Sequence, residues 1–218
     1  MVKKKELSPA VVRHKLRPEL RSEQIEDRAV ALFAQKGFAL STRELALGLG
    51  ITQPLLYRYF ASKQALIDRV YEKVFMSRWK PEWEDLLKDR RVALRRRLID
   101  YFADYSQAIL SSEWVRIFLY AGLQDPALNQ RYLKLLNERI FDVINEEIRH
   151  ECGVKRRPSA ARLAMEREVL WGFHSSFFYL GVRKWVYLLP VPHDIEPIIC
   201  ARVDNFLSGA LATYAGMK

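Results

Sequence analysis

Apolar residues recur every three or four positions along almost the whole chain, and this spacing constrains the fold more than any other feature. Such spacing places apolar side chains on one face of an α-helix, whereas a half-buried strand needs strict alternation. The first face consists of Ile25, Ala29, Leu32 and Phe33. Gly37 can end that helix. We find no convincing alternating segment and no internal repeat, so the sequence predicts an all-α fold.

The same spacing predicts further helices through the rest of the chain. Their apolar stripes are Leu66, Val70 and Val74; Leu94, Leu98, Tyr101, Phe102, Tyr105 and Ile109; Leu128, Tyr132, Leu135 and Leu136; Leu163, Leu170, Phe173, Phe177 and Trp185; and Ile199, Val203, Phe206, Ala210 and Leu211. Asp125, as an N-cap before Pro126, opens a helix that we expect to end near Gly153. The prolines of the "LLPVPHD" segment interrupt the chain before a last helix from about Asp194.

Positive charge is concentrated in the first part of the chain. Residues 1–80 hold 16 Lys and Arg against 8 Asp and Glu, a surplus of +8, whereas residues 81–218 hold 20 against 18, a surplus of +2. This asymmetry indicates a polyanion-binding head on a body with another role, although a merely solvated basic surface would look the same. We predict a basic extension over residues 1–17, a head over 18–80 and a body over 81–218.

The cysteine content and the absence of long apolar runs bear on location. Only Cys152 and Cys200 are present, and the N-terminal residues lack a secretory signal, so we expect a reducing cytoplasm. The longest stretch without charge, residues 169–182, is too short to cross a bilayer. We therefore expect a cytoplasmic protein without a membrane partner.

The segment "STRELALGLGITQPLLYRYFASK" has the features of two short helices joined by a tight turn. Ser41 and Glu44 can form a capping box at the first helix. Gly50 supplies the backbone conformation needed to leave it. Thr52 can cap the second helix, and Pro54 is tolerated in its first turn. These features favour a helix-turn-helix, although an ordinary helical hairpin can share some of them.

In a helix-turn-helix, the start of the second helix enters the DNA major groove. The residues that would meet base edges here are Thr52, Gln53, Pro54 and Leu55. A Gln amide can pair with adenine, and apolar groups can contact the thymine methyl. The donors suited to phosphate oxygens are Tyr57, Arg58, Tyr59 and Lys63. Double-stranded DNA is therefore the predicted partner.

Residues 20 to 75 resemble the DNA-binding domain of TetR-family transcriptional regulators. The matching pieces are "AVALFAQKGF", "STRELALGLGIT", "LLYRYF" and "SKQAL". The resemblance implies a three-helix head followed by helices that dimerise and receive a ligand. It also implies that Thr42 and Arg43 approach the DNA, that Gln53 faces the bases, and that Tyr57 and Lys63 hold the DNA backbone.

The chain departs from that family's pattern in two places. The connection from Gly37 to Ala46 is one residue shorter than usual, and Pro54 stands where many members have glycine. The basic extension "VKKKELSPAVVRHKLR" is longer than the motif needs. This extension is either a solvated tail or an arm that lies along or in the minor groove of the DNA.

The two longest apolar-rich segments, residues 159–187 and 194–216, are candidates for a dimer interface. The resemblance implies that such C-terminal helices pair with their twins in a four-helix bundle, and small side chains would allow close packing. The candidate interface residues are Gly172, Ser176, Val203, Phe206 and Ala210. A twofold pair would read two half-sites, whereas a monomeric core is the alternative.

Aromatic residues are numerous in the body and could line a cavity for an apolar or aromatic effector. The candidate lining residues are Trp114, Phe118, Trp171 and Phe178, with His174 or Gln124 as a polar handle. The alternative is that these side chains simply pack against one another.

Enzymatic motifs are absent from the sequence. There is no glycine-rich phosphate loop, G-x-S-x-G or H-E-x-x-H, and His150 and Cys152 are poorly spaced for a metal. The pairs Glu146–Glu147 and Glu166–Glu168 have the pattern of solvated helix faces. We therefore expect no catalytic residue, cofactor or metal.

The function that fits best is a ligand-responsive homodimeric repressor that binds a palindromic operator. Two alternatives remain from the sequence alone: an architectural DNA-binding dimer whose body docks a protein, and an α-helical enzyme with an accidental helix-turn-helix. An activator would have the same sequence features as a repressor.

Overall fold

The computed structural model describes residues 18–155 and 158–216, and every regular secondary-structure element within them is a helix. The all-α prediction is thereby confirmed. The basic extension, residues 1–17, lies outside the described residues. Within the described ranges, no helix is both long and apolar enough to cross a membrane.

Four helices form the head: α1 (Pro18–Lys36), α2 (Thr42–Gly48), α3 (Gln53–Tyr59) and α4 (Lys63–Val74). The predicted apolar face of α1 is buried, and Gly37 follows it at a φ of 71°. This left-handed conformation is the one that a helix-ending glycine adopts most easily. Three ion pairs hold α4 against α1: Arg69 to Glu26 at 3.0 Å, and Lys73 to Asp27 at 2.6 Å and to Glu23 at 4.0 Å.

The body follows a short 3₁₀ turn and consists of α5 (Glu82–Lys88), α6 (Leu94–Ile109), α7 (Ser112–Gln124), α8 (Ala127–Leu136), α9 (Asp142–Glu151), α10 (Ala160–Trp185) and α11 (Glu196–Gly216). A single π-helical turn, Asn137–Phe141, joins α8 to α9 without a break. The Asp125 carboxylate accepts the Ala127 N–H at 3.1 Å, and Gly153 ends α9 at a φ of 66°. The predicted helix is therefore present with one π turn inside it, but it begins at Ala127 with Pro126 as its N-cap, one residue later than predicted.

Serine and threonine caps define the start of several of these helices. Ser62, Ser111 and Ser159 each accept a backbone N–H from three residues further on. Such a bond satisfies one of the N–H groups that a helix start leaves without an internal partner. One hydrophobic core then runs through head and body, from Ile25 in α1 to Tyr214 in α11.

Two buried carboxylates correct the expectation that the paired glutamates lie on solvated faces. Glu166 is fully buried and pairs with Arg149 at 2.5 Å and Arg162 at 2.8 Å. Glu147 is also buried and pairs with Arg90 and Arg97, both at 2.8 Å. Sequence spacing gave no sign of this burial, because three of the four arginines belong to segments other than the helix of their glutamate.

The Glu147 cluster has a clear electrostatic consequence. Burial raises the pKa of Glu147, but the hydrogen bonds from Arg90 and Arg97 outweigh burial and leave that pKa below its usual value. The carboxylate thus stays ionised at neutral pH and joins α6 to α9. Breaking such a buried pair on one side leaves an uncompensated charge and is strongly destabilising.

Candidate nucleic-acid interface and body cavity

The predicted capping pattern around α2 and α3 is present in full. Ser41 Oγ accepts the Glu44 N–H at 3.2 Å, and Glu44 Oε2 accepts the Ser41 N–H at 2.8 Å. These bonds also hold the pKa of Glu44 below its usual value. Gly50 has a φ of 67°, and Thr52 Oγ1 accepts the Leu55 N–H at 3.4 Å. The turn between the two helices is therefore fixed by local chemistry that the sequence displays.

The crossing of α2 and α3 is closed by apolar packing. Its buried side chains are Leu45, Ala46, Leu49 and Leu56. Arg28 of α1 donates from Nη1 to the Leu49 carbonyl at 3.1 Å and so supports the end of α2. The sequence did not identify Arg28, because a contact across 21 residues has no local signal.

The start of α3 is exposed where the motif requires it. Thr52, Gln53 and Pro54 are exposed, and Leu55 is half-buried. Gln53 Nε2 donates to Thr42 Oγ1 at 3.1 Å, which ties the first turns of α2 and α3 together. The bond uses one N–H of an amide that has two N–H groups and a carbonyl oxygen, so hydrogen-bonding capacity remains.

Basic and hydroxyl groups surround this exposed turn. Arg43 and Arg58 are exposed, and the Tyr57 side chain is 43% exposed. Arg58 Nη2 donates to the Tyr59 hydroxyl at 3.3 Å, with the guanidinium 5.3 Å from the ring centre. Lys63 Nζ donates to the Phe38 carbonyl, so this ammonium also has a structural role. The predicted phosphate-binding residues thus lie on α3 and at the starts of α2 and α4.

Helix α7 connects the body to the head. Arg116 donates from Nε to the Ala34 carbonyl at 2.5 Å and from Nη1 to the Trp185 carbonyl at 3.2 Å. The Tyr120 hydroxyl donates to the Gln35 carbonyl at 3.2 Å. The bonds to Ala34 and Gln35 reach the last turn of α1, and neither was expected from the sequence.

Gln124 corrects one prediction about the cavity. Its Oε1 accepts the Phe38 N–H at 2.8 Å, so its side chain belongs to the contact between α7 and the end of α1. A side chain at Gly37 would lie 2.8 Å from Tyr120 Cδ1, which shows how closely the two elements approach. Gln124 is therefore not the polar handle of a body cavity.

The other five predicted lining residues do lie around one cavity of about 130 Å³: Trp114, Phe118, Trp171, His174 and Phe178. The sequence did not identify six further lining residues: Tyr105, Ile109, Tyr132, Leu133, Leu136 and Ser175. Most of these belong to apolar helix stripes, and such stripes do not reveal which positions face a void. Three larger grooves, of about 770, 430 and 390 Å³, are open to solvent and have more polar linings.

The cavity wall is mainly aromatic and has one buried polar group without a partner. Trp114 and Phe118 stack at 4.8 Å and 14°, and Phe178 meets Phe118 edge-on at 5.5 Å. His174 is 5% exposed, and its Nε2 has no hydrogen-bond partner among the described residues. Burial lowers the pKa of His174 to about 3, so the imidazole is neutral at physiological pH.

The predicted dimer residues divide into two groups. Val203, Phe206 and Ala210 are buried within the protomer, and Phe206 stacks on Phe173 at 4.0 Å. Their assignment to a dimer interface is therefore wrong, because the chain's own core occupies that face of α11. Gly172 is exposed and Ser176 is half-buried.

Comparison with known proteins identifies relatives of the head. Residues 25–70 match the family described as "Bacterial regulatory proteins, tetR family". The tetracycline repressor protein class D of Escherichia coli is 31% identical over 90 residues, which are 38% of this chain and 41% of that protein. The class C repressor of Escherichia coli is 33% identical over 91 residues, 38% of this chain and 42% of that protein. The chain thus spans about two-fifths of the length of these relatives.

Solved structures resemble most of the chain. A TetR-like transcriptional regulator from Rhodococcus sp. RHA1 has a TM-score of 0.60 at 17% identity, covering 93% of this chain and 100% of that one. The regulator PfmR from Thermus thermophilus has a TM-score of 0.56 at 21% identity, covering 84% and 97%. At these identities the likeness shows the fold alone.

Proposed function

We propose that this chain, which belongs to the TetR family of bacterial regulatory proteins, is a ligand-responsive homodimeric repressor that binds a palindromic operator through α3. Members of this family are DNA-binding transcription factors and not enzymes. The observation that carries the proposal is the exposed first turn of α3, with Gln53 held beside Thr42 and Leu56 buried beneath.

In the proposed complex, the first turn of α3 enters the major groove. Gln53 offers an amide that can bond the N6 and N7 positions of adenine, and Pro54 offers an apolar surface to a thymine methyl. Arg43, Arg58 and Tyr57 then bond phosphates on either side of the groove, together with the remaining donors of Lys63. These phosphate contacts fix the orientation, and the Gln53 contact supplies base preference.

A single short helix reads few base pairs, so the proposal includes a dimer. Met165, Gly172 and Tyr179 lie seven residues apart on α10, and all three are exposed. Seven residues are almost two helical turns, so these side chains share one face. A Cβ atom added at Gly172 would meet nothing within 4 Å beyond the adjoining backbone of its own helix, which leaves room for close approach of a second helix.

The same interface can extend over α11 and the loop before it. The exposed face of α11 has small side chains at Ser208, Gly209 and Ala212. The preceding loop exposes Tyr187 and Leu188, the latter at 80%. Large apolar side chains exposed together are typical of a protein–protein contact. We propose this surface as the dimer interface in place of the buried residues of α11.

The ligand response is proposed to pass through α7. Trp114 and Phe118 face the cavity, whereas Arg116 and Tyr120, on the same helix, hold the end of α1. A ligand that favours another position of α7 would change the spacing of the two α3 helices in the dimer. For this, the ligand must bind the non-DNA form more tightly, by about 1–3 kcal/mol or more.

Selection of bound duplexes from a random DNA pool tests the proposal. We expect a palindrome whose half-sites are separated by about one helical turn or a multiple of it, roughly 34 Å. The Gln53→Ala variant should lose base preference at one position in each half-site. Recovery of no common sequence, or of a single unrepeated half-site, would count against a palindrome-reading dimer.

A further inference from the structure

The size of the body cavity limits its ligand to one small ring. The cavity holds about 130 Å³. An apolar cavity of roughly 150 Å³ in another protein stays dry and binds benzene. A single six-membered ring with one small substituent is therefore the largest group that fits without rearrangement of the wall.

The wall favours an aromatic ring over an aliphatic one. Trp114 and Phe118 present stacked faces, and Phe178 presents its ring at 66° to Trp114 and 68° to Phe118. A guest ring can continue this mixture of stacked and edge-on contacts, which aromatic pairs prefer. The rings therefore provide shape and quadrupole complementarity for a planar aromatic guest.

The polar groups of the wall restrict the guest further. The Tyr132 hydroxyl already donates to the Tyr105 hydroxyl at 3.3 Å, and the Ser175 hydroxyl donates to the Gly172 carbonyl at 3.1 Å. Among the fully buried side-chain polar atoms of the lining residues, His174 Nε2 is the one that lacks a partner in the described part of the chain. A neutral imidazole nitrogen either donates or accepts a hydrogen bond. A hydroxyl group on the ligand can bond to it in either case, because a hydroxyl both donates and accepts.

The same wall disfavours an anion. The lining residues include no Lys or Arg. A carboxylate transferred into such surroundings would lose its hydration without gaining a counter-ion, which is very costly. Burial holds the pKa of His174 at about 3, so this imidazole cannot supply the positive charge at neutral pH.

We propose that the effector is a neutral monocyclic aromatic molecule with one hydroxyl group, whose ring lies against Trp114, Phe118 and Phe178 and whose hydroxyl bonds His174 Nε2. This inference rests on the proposed ligand response and names the class of ligand. A ligand in this cavity would contact Trp114 and Phe118 of α7. These side chains lie on the face of α7 opposite Arg116 and Tyr120, which bond the end of α1.

Calorimetric titration of the full chain with phenol, toluene and benzoate tests the proposal. Phenol should bind about tenfold more tightly than toluene, which has a similar shape and no hydroxyl. Benzoate should show no binding at concentrations that saturate with phenol. Equal affinities for phenol and toluene, or tighter binding of benzoate, would overturn the proposal.

The His174→Leu variant tests the role of the imidazole directly. It should bind phenol and toluene with similar affinities, because the hydroxyl then has no partner. His193→Leu makes the same change at an exposed histidine outside this cavity. This control variant should keep the preference for phenol over toluene of about tenfold that we expect of the unaltered chain. A preference that survives in His174→Leu would exclude His174 as the partner. The three-ligand series on the unaltered chain decides the ligand class even if the variant folds poorly.

Failure of this inference and failure of the proposed function give different results. If phenol does not bind while the chain still binds its selected palindrome, the ligand class is wrong and the DNA-binding role stands. If phenol binds with the expected preference but no duplex is bound at any salt concentration, the ligand class stands and the repressor proposal is wrong.

Discussion

The residue with the least usual surroundings is His174. Its ring lies among Phe102, Tyr105, Phe141 and Trp171, with centroid distances between 5.0 and 6.2 Å. A buried polar atom without a partner costs about 1–3 kcal/mol. A chain selected for stability alone would gain from an apolar residue here, which is consistent with a role in binding.

Acid should destabilise the protein through His174. The imidazole protonates near pH 6.5 in the unfolded chain but only near pH 3 in the folded one, so protonation favours the unfolded state as the pH falls through this window. Between pH 7 and pH 5, we expect the unaltered chain to lose about 2 kcal/mol more unfolding free energy than His174→Leu. Urea denaturation at both pH values measures this difference, and equal losses would show that His174 does not titrate as described.

Gln53 and Arg43 should affect DNA binding in different ways. Gln53→Ala should cost about 1–3 kcal/mol on the selected palindrome and little on random DNA. Arg43→Ala should weaken binding to both and reduce the slope of log affinity against log salt by about one. Titrations at several salt concentrations measure both effects. The two roles would be wrongly assigned if the variants behaved alike on both DNAs.

Lys63 is less suited to this comparison than the sequence indicated. We expect Lys63→Ala to weaken binding to all duplexes, but the same change removes the bond to the Phe38 carbonyl. A loss of affinity in that variant could therefore arise from the lost phosphate contact or from a less rigid head, and the measurement would not separate the two causes. Arg43 is exposed and serves better.

Among the helices, α7 has the central position. Its N-terminal half faces the cavity through Trp114, and its C-terminal half bonds the head through Tyr120 and Gln124. The Trp185 carbonyl of α10 also accepts from Arg116, so the helix that we propose as part of the dimer interface is joined to the same residue. A displacement of α7 therefore acts on the head and on α10 together.

Arg116→Met should loosen the end of α1. The change keeps most of the side-chain length but removes charged donors from two carbonyls, which we expect to cost about 2 kcal/mol. Amide exchange in the last turn of α1 should become faster. Arg96→Met removes an exposed pair with Asp100 within α6 and should cost well under about 1 kcal/mol. Equal effects of the two changes would argue against α7 as the connection.

Local chemistry explains which elements were predictable. Ser41, Gly50 and Thr52 determine the helix-turn-helix through caps and a turn within a few residues of each other, so the sequence displays them fully. Contacts between distant segments were not predictable. Arg28 reaches Leu49, and Gln124 reaches Phe38 across 86 residues, and neither contact follows from spacing.

Some of the predicted site residues could likewise be identified from the sequence, and others could not. The aromatic lining could be predicted as a set, because most of the bulky rings in the body are buried in its core, although Tyr179 and Tyr187 are exposed. The face of α11 was misassigned, because an apolar stripe looks the same whether it packs inside the protomer or against a partner. In α11, the small residue Gly209 lies on the exposed face, whereas the large apolar residues Val203 and Phe206 lie on the buried face.

For the whole molecule, the account requires two copies. Gly172→Arg places a long charged side chain at an exposed position, where an added Cβ would meet nothing within 4 Å beyond the adjoining backbone of its own helix. Replacement of glycine also favours the helix, so the protomer itself should remain folded. We expect a monomer in sedimentation velocity at micromolar concentration, whereas Ala31→Arg on the exposed face of α1 should remain a dimer. Dimers in both variants would place the interface elsewhere.

The proposal that α3 reads DNA can be tested by a fluorescence anisotropy titration with the selected palindrome and a scrambled duplex at about 150 mM salt. We expect the palindrome to bind at least about a thousandfold more tightly than the scrambled duplex, and Gln53→Ala to remove part of that difference. Equal affinity for both duplexes, or a preference unaffected by Gln53→Ala, would contradict the proposal.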